Sequence, residues 1–579
     1  MMLVRLRPLL LFVPIALLGC GGGATTEGGP TDETLGDGDG DPGDGDGDPG
    51  DGDGDGDGDG DPGDGDGDGD GPSELCEELG LPIDLRLEGT GSGWGDVAGD
   101  FSVETTFGPW DLAQRFSGCD SYVFVNHLKD STSDSLRNSF NAELFTRAPR
   151  NVHWFFLNDD ADPEAGAQVW QTKIGQSLAS LEQADIDFWS ERVHFVTQAP
   201  AAAAGSLGQF YAANPNAMVA AIDRFQRWEY PNSTSDTGGG SFAQTAPVLA
   251  YTPRYYNFRH AQELELAAQA DVTEVALLDQ VEFPPDGPGG QDGPFANNFN
   301  NQVWTATFPD AAIMAGFDTM DMVVTGECGP SPGDDCGHWD YEAFVHWCDT
   351  EACDGQVNEV FRWITPYARA GVRKWVFDTT PMLGLVAAGG DQHFRFGMRW
   401  NMNPSTWDMR FRLRNSDQAG ASKTLVPAFT GNKGFNDGYN DWASVEFTPP
   451  ANATKVEFVA LISGHGQDTS NCAEWCNHQH EFTINGASVH MREFSGDVAN
   501  QRCGEAVDQG VVPGQWGNWT PGRAGWCPGQ PVQPWIVDIT DEVTLGQLNT
   551  IDYVGKFGGV PVTGNRGRIL LSSYVVYYE

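Results

Sequence analysis

From about Asp271 to Glu579 the chain is written in short runs whose apolar residues alternate with polar ones: VTEVALLDQVEF, NQVWTATF, DTMDMVVTG, YEAFVHW, HFRFGMRW, TWDMRFRLR, TKVEFVALI, HEFTING and RILLSSYVVYY. Gly, Pro, Asn and Asp punctuate them. Alternation with period two puts one set of side chains on a buried face and the other on a wet face. Many such strands in series build an antiparallel sandwich or jelly roll. About 300 residues are too many for one sandwich. Two in tandem are expected, over residues 263–405 and 406–579, meeting around Asn403 to Val426.

Residues 73–262 have another texture. Apolar strand-like runs, Tyr122-Val123-Phe124-Val125 and Val152-His153-Trp154-Phe155-Phe156-Leu157, alternate with helical stretches at Gly166 to Gln183 and Pro215 to Arg227. Strand alternating with helix predicts an α/β layer. The order is similar to a thioredoxin-like domain, yet no Cys-x-x-Cys is present, so redox chemistry of that type is unsupported. A structural or binding role is expected.

The chain opens MMLVRLRPLLLFVPIALLGC. Two arginines precede a short apolar core, the pattern of a secretory signal. The ending Leu-Leu-Gly-Cys looks like a bacterial lipobox. Residues 1–20 then form a lipoprotein signal peptide, Cys20 carries lipid, and the exported protein hangs from the outer membrane or cell surface by that anchor alone. Of the 11 cysteines, setting aside Cys20 leaves an even set, which in an oxidising compartment predicts disulfides. Cys76 and Cys119 are the expected pair upstream. Residues 21–72 are a linker dominated by Asp-Gly repeats, which can build no core and extend by like-charge repulsion. Formal net charge is −51, and the sixteen aspartates of residues 36–71 explain only part of it. Such acidity argues against nucleic acid or an anionic membrane surface as partner.

The stretch NCAEWCNHQH, Asn471 to His480, concentrates the chemistry. Cys472, Cys476, His478 and His480 could offer four ligands to zinc, and a His-x-His pair on a strand also suits copper. Equally, two cysteines four apart suit a small disulfide loop presenting Glu474.

The segments GHG, NCAEWCNHQHEFTING, Cys503 and GQWGNWTPGRAGWCPG resemble the second domain of the peptide-N-glycosidase F family. Upstream, VTGECGPSPGDDCGHWDYEAFV and RWITPYARAG resemble its first domain, so the likeness covers about residues 271–579. It implies two jelly rolls with a site in the cleft between them, no metal and no cofactor. The implied reaction hydrolyses the amide joining an N-linked glycan to asparagine, with N-glycosylated peptides or glycoproteins as partners and a monomer as the working form. Carried over by position, Asp340 is the principal catalytic acid and Glu474 a second. Trp400, Trp475, Trp526, Arg523 and His465 fall at or near sugar-binding positions. The implied disulfides are Cys328–Cys336, Cys472–Cys476 and Cys503–Cys527, with Cys348–Cys353 remaining. The chain also departs from the family. Met398 stands where a third acid is expected, Tyr341 replaces an arginine, and His465 stands nearest an expected tryptophan. Glu342 or Asp408 are the candidates for the missing charge.

Three functions follow, each with its own consequence. An exported glycosylasparagine amidase releases glycan. A non-catalytic glycan-binding surface lipoprotein binds sugar without turnover. A His-x-His copper monooxygenase-like protein carries stoichiometric metal on His478 and His480.

Overall fold

The computed structural model describes residues 73–229, 246–283, 299–329, 336–337, 339–399, 403, 405–416, 421–467, 470–498, 501–515 and 517–579. The signal segment, Cys20, the Asp-Gly linker and Trp400 lie outside the described residues.

The α/β part holds a five-stranded mixed sheet. Its spatial order is Val193–Phe195, Val152–Asn158, Ser121–His127, Val219–Ile222 and Trp228–Glu229. The first three run parallel and the last two pair antiparallel. Every residue of Ser121–His127 and Val152–Asn158 is buried, as both faces are covered. The first expected helix forms over Pro163–Leu178, started by Asp162, whose carboxylate accepts from the Ala165 amide ahead of a proline at the first turn. The second expectation fails. Residues 215–227 form the buried strand Val219–Ile222 and a turn, and the helix lies earlier, at Ser206–Ala213. The run Ala217-Met218-Val219-Ala220-Ala221-Ile222 helps fill the core against Ser121–His127. Asp223 then folds the turn by accepting from the amides of Phe225 and Arg227. Burial overrides the helical preference of alanine here.

The first sandwich stacks two four-stranded antiparallel sheets. One is ordered Phe299–Asp310, Gly389–Arg399, Glu342–Cys348, Val357–Ile364. The other is ordered Val372–Asp378, Thr319–Glu327, Ser405–Arg414, Thr273–Phe283. Ser405–Arg414 thus belongs wholly to the first sandwich, and the crossing to the second falls between Arg414 and Ser422 rather than at residue 405. The helix Tyr251–Ala268 likewise runs across the expected boundary at residue 262.

The second sandwich pairs the sheet Ser422–Gly434, Arg568–Tyr578, Lys455–His465, Trp535–Asp538 with the sheet Val445–Phe447, Asn549–Phe557, His478–Ile484, Ser488–Glu493. Its Arg568–Tyr578 strand reads as nearly continuous apolar sequence because both faces are covered. Ile569, Leu571, Val575 and Tyr577 point into their own sandwich. Leu570 meets Phe344, and Tyr574, Val576 and Tyr578 join the core cluster that includes the first sandwich. The interface also buries charge. Arg362 donates to both oxygens of Glu359, at 2.6 and 2.8 Å, with both side chains fully buried. Across the interface Arg362 donates to the Ser463 hydroxyl, and Glu359 receives the Ser572 hydroxyl while its carbonyl accepts from Tyr574. Burial alone would raise the Glu359 carboxyl, but Arg362 more than cancels this and holds it below its usual range.

Five disulfides are formed: Cys76–Cys119, Cys328–Cys336, Cys348–Cys353, Cys472–Cys476 and Cys503–Cys527.

Candidate active site

Four loops from two sandwiches converge on one cluster. Asp340 lies just ahead of strand Glu342–Cys348, on a connection tied by Cys328–Cys336. Tyr367 follows strand Val357–Ile364. From the second sandwich, Glu474 sits inside the Cys472–Cys476 loop, whose turn is closed by the Trp475 and Cys476 amides donating to the Cys472 carbonyl. Arg523 and Asn518 come from the long segment closed by Cys503–Cys527. Gly525 in that segment has φ +82, and a side chain there would strike the Ile462 carbonyl at 2.3 Å, so only glycine fits.

Arg523 is the hub. Its Nε lies 3.1 Å from Glu474 Oε1 and 3.7 Å from Asp340 Oδ2, which places the two carboxylates within about 7 Å of each other. Its second nitrogen donates to Tyr367 Oη at 3.2 Å, and Tyr367 in turn donates to Asp340 Oδ2 at 2.7 Å. The guanidinium is completed by the Pro521 and Asn518 carbonyls and is wholly buried. Burial pushes the Asp340 carboxyl up to about 7, against the pull of Arg523 and with the added repulsion of Glu474. Glu474 is raised too, by burial first, with Arg523 opposing. Two neighbouring carboxyl groups, one of them poised near neutrality, can trade a proton with water and with a leaving nitrogen.

The other residues singled out from sequence fall around this cluster. Trp475 is half-buried, with the Arg523 guanidinium over its ring at 4.5 Å. Trp526 is almost fully buried and donates its indole N–H to the Gly464 carbonyl at 2.8 Å. Arg523 lies over that ring at 5.0 Å and His465 stacks on it at 5.3 Å. Trp526 is therefore a support beneath Arg523, and its ring is covered by protein. Sequence reasoning missed Tyr367 and Asn518 as functional residues. Tyr367 lies within the quoted Ile-Thr-Pro-Tyr run, which by itself does not mark its hydrogen bond to Asp340. Trp339, next to Asp340, is 52% exposed and lies edge-on to Tyr367 at the mouth of the cluster. The cavity that reaches Arg523 and Trp526, about 80 Å³, lies behind them and is lined by neither acid.

The residues weighed for the third acid fall in different surroundings. Met398 points into the first sandwich core, fully buried, so that position does not face the cleft. Asp408 is ion-paired with Arg410 on the sheet face that lies toward the helix Tyr251–Ala268. Of these, Glu342 is the acid whose charge reaches Glu474. It is 4% exposed, pairs with Arg568, lies 3.7 Å from His465 Nδ1, and adds to the upward pressure on Glu474.

His478 and His480 lie beneath the Cys472–Cys476 loop, both fully buried. His478 Nε2 sits 2.9 Å from the Ala473 carbonyl, which can only accept, so Nε2 donates. Its Nδ1 must then accept from His480 Nε2 at 3.0 Å, and His480 Nδ1 accepts from Tyr553 Oη at 2.6 Å. Tyr553 in turn accepts from Tyr439. Every ring nitrogen is engaged, and the relay ends on the carbonyl next to Glu474. Among the described residues no group of three or more His, Cys, Asp or Glu side chains is arranged to hold a metal ion.

Burial holds His478 down to about 4 and His480 well below the ordinary imidazole value of 6.5. An unfolded chain takes up these protons near 6.5, and the folded one refuses them until lower pH. Stability present above pH 6.5 is therefore expected to fall as pH drops toward 4, by about 3 kcal/mol for His478 alone. The melting-temperature difference between the parent and a His478→Gln variant, which takes up no proton there, isolates this contribution: the parent should lose ground to the variant as pH falls from 6.5 toward 4.

The second half of the chain is similar to known proteins. Residues 434–576 match the family model described as Peptide-N-glycosidase F, C terminal. The chain is 27% identical over 289 residues to the peptide-N(4)-(N-acetyl-beta-D-glucosaminyl)asparagine amidase F of Elizabethkingia miricola, covering 47% of this chain and 77% of that protein. Among solved structures, PNGase F, a glycosylasparaginase from Flavobacterium meningosepticum, is similar with TM-score 0.41 and 23% identity, over 53% of this chain and 96% of that one. PNGF-II is similar with TM-score 0.40 and 10% identity, over 55% of this chain and 68% of that one. Residues 434–576 match the C-terminal domain of the peptide-N-glycosidase F family, within the stretch of about residues 271–579 over which the sequence resembles that family.

Proposed function

We infer that this chain is an exported amidase that cleaves the bond between an N-linked glycan and the asparagine side chain. The observation that carries the reading is the Asp340–Arg523–Glu474 cluster, drawn from two sandwiches in a chain that resembles this family. In this reading ionised Asp340 takes a proton from water, and the oxygen attacks the amide carbon. Arg523 and Tyr367 keep Asp340 oriented and partly ionised at neutral pH. The carbon–nitrogen bond then breaks, and the proton passes to the departing nitrogen. Aspartate remains in the peptide, and the glycan leaves as a glycosylamine that subsequently loses ammonia. Glu474 holds the first sugar and a bridging water, with Trp475 and the exposed Trp339 flanking the entrance. Glu342 supplies the additional negative charge. Cys20 would carry the lipid and the Asp-Gly linker would hold the body away from the membrane.

The test uses the purified protein and a denatured N-glycopeptide. Loss of the whole glycan with a peptide gain of about one mass unit, from Asn to Asp, is expected, unchanged by a chelator. Glycan binding without release would overturn the amidase reading in favour of a sugar-binding surface protein.

A further inference from the structure

The helix Tyr251–Ala268 meets all three parts of the molecule. Toward the α/β part, Asn257 and Asn151 exchange amide hydrogen bonds at 2.8 Å. Toward the first sandwich, Lys374 pairs with Glu263 at 2.8 Å, and Arg412 donates to the Leu266 carbonyl at 2.8 Å. Toward the second sandwich the contacts fall on one place, the start of the segment that carries Arg523. Arg254 donates to both Asp508 oxygens, to Glu505 Oε2 at 3.0 Å and to the Glu505 carbonyl at 3.1 Å. Arg147 joins Glu505 from the α/β part. Tyr251 lies edge-on to Trp519 at 5.8 Å, and its hydroxyl donates to Glu505 at 3.1 Å. Gly504 packs under that ring so closely that a Cβ would sit 2.7 Å from it.

From this contact the path to the site is short. The Cys503 and Gly504 amides donate to the Thr520 carbonyl at 2.9 and 3.1 Å. Trp519 stands between Thr520 and Asn518, and Asn518 and Pro521 hold the Arg523 guanidinium. The far end of the segment is sewn to the first sandwich, with the Gly529 amide donating to the Ile364 carbonyl and the Val532 amide to the Arg362 carbonyl.

We propose that the helix Tyr251–Ala268 braces residues 503–530 and that Tyr251 and Arg254 are positioning residues for Arg523. The α/β part then has a role in the reaction: it fixes the angle at which Arg523 meets the two acids. A single exposed ion pair contributes little. Arg254 is different in kind, since it is only 16% exposed and grips three acceptor groups at once. The catalytic side of this role rests on the amidase reading; the bracing itself does not.

The experiment compares the full chain with Arg254→Ala, Arg254→Lys and Glu505→Gln. Amide hydrogen exchange is followed over 503–530 together with glycan release from a glycopeptide. In Arg254→Ala, exchange in that segment is expected to rise about tenfold while strands such as Arg568–Tyr578 stay protected. kcat should fall about tenfold with KM within about twofold. The acid limb of the rate profile should move upward, because a loosened Arg523 no longer pulls Asp340 down. Arg254→Lys should recover part of each effect. Unchanged exchange over 503–530 in both Arg254→Ala and Glu505→Gln overturns the proposal. So does a fall in rate that only tracks the fraction of folded protein, with the acid limb unmoved. Should Arg254→Ala fail to fold, Glu505→Gln reads the same contact from the other side. If no form releases glycan, the amidase reading fails, and the exchange data still decide the brace.

Discussion

Asp340→Asn is expected to lower glycan release by roughly 10³-fold while leaving the protein folded and, above neutral pH, more stable than the parent. The rate falls because the amide keeps the shape and still accepts the Tyr367 hydroxyl but cannot take a proton from water. The stability change has a definite sign. Folded Asp340 holds its proton up to about 7, well above its ordinary 3.8. Stability from this group is full below about pH 4 and is lost as pH rises through 7, by at most about 4 kcal/mol. The variant has no such loss. Its melting temperature should equal the parent's near pH 4 and exceed it at pH 8. Mass spectrometry of the glycopeptide and calorimetry at the two pH values check both halves. A variant that keeps a tenth of the parent rate would remove Asp340 from the chemistry.

The second large effect is expected far from the acids. Arg362→Leu should destabilise the protein by about 3–5 kcal/mol, because it leaves the Glu359 carboxylate buried and unpaired between the sandwiches. Glu359→Gln added to it should recover part of the loss, since the remaining side chain is then neutral and still accepts the Ser572 hydroxyl. Denaturant midpoints of the parent and the two variants give the comparison. Activity should fall with stability here, as Asp340 and Tyr367 belong to one sandwich and Glu474 and Arg523 to the other. A midpoint within about 1 kcal/mol of the parent would show that the pair is dispensable to the interface.

What the sequence revealed depended on how local each signal was. The antiparallel sandwiches were legible because period-two alternation is written inside each strand. Ser405–Arg414 was assigned to the wrong side of the boundary because a strand's own pattern does not say which sheet receives it. Glu474 stood out between two cysteines, while Asp340 was marked only by the resemblance to the peptide-N-glycosidase F family. Tyr367 did not, because its role depends on a hydroxyl reaching across to Asp340, and nothing in Thr365-Pro366-Tyr367 marks that reach. Met398 stands where the resemblance expects an acid, yet alternation turns its side chain into the core, and Glu342 on the neighbouring strand is the carboxylate whose charge reaches Glu474. His478 and His480 are metal-like in sequence. The structure adds what sequence could not give, the Ala473 carbonyl and Tyr553 hydroxyl at hydrogen-bonding distance that order the protons along the pair. The stretch after Pro215 was misread because alanine-rich sequence is ambiguous until a partner strand buries it.

The disulfides also bear on how this molecule wears out. Among the described residues each joins positions within the α/β part, within the first sandwich or within the second, and none crosses the cleft. The loops that carry Asp340, Glu474 and Arg523 are thus covalently pre-shaped, while their meeting depends on contacts that can let go. Mild heat or denaturant should silence the protein by parting two intact halves before either half melts. On cooling or dilution the halves need only find each other again, so the silent form is a reservoir and not a wreck.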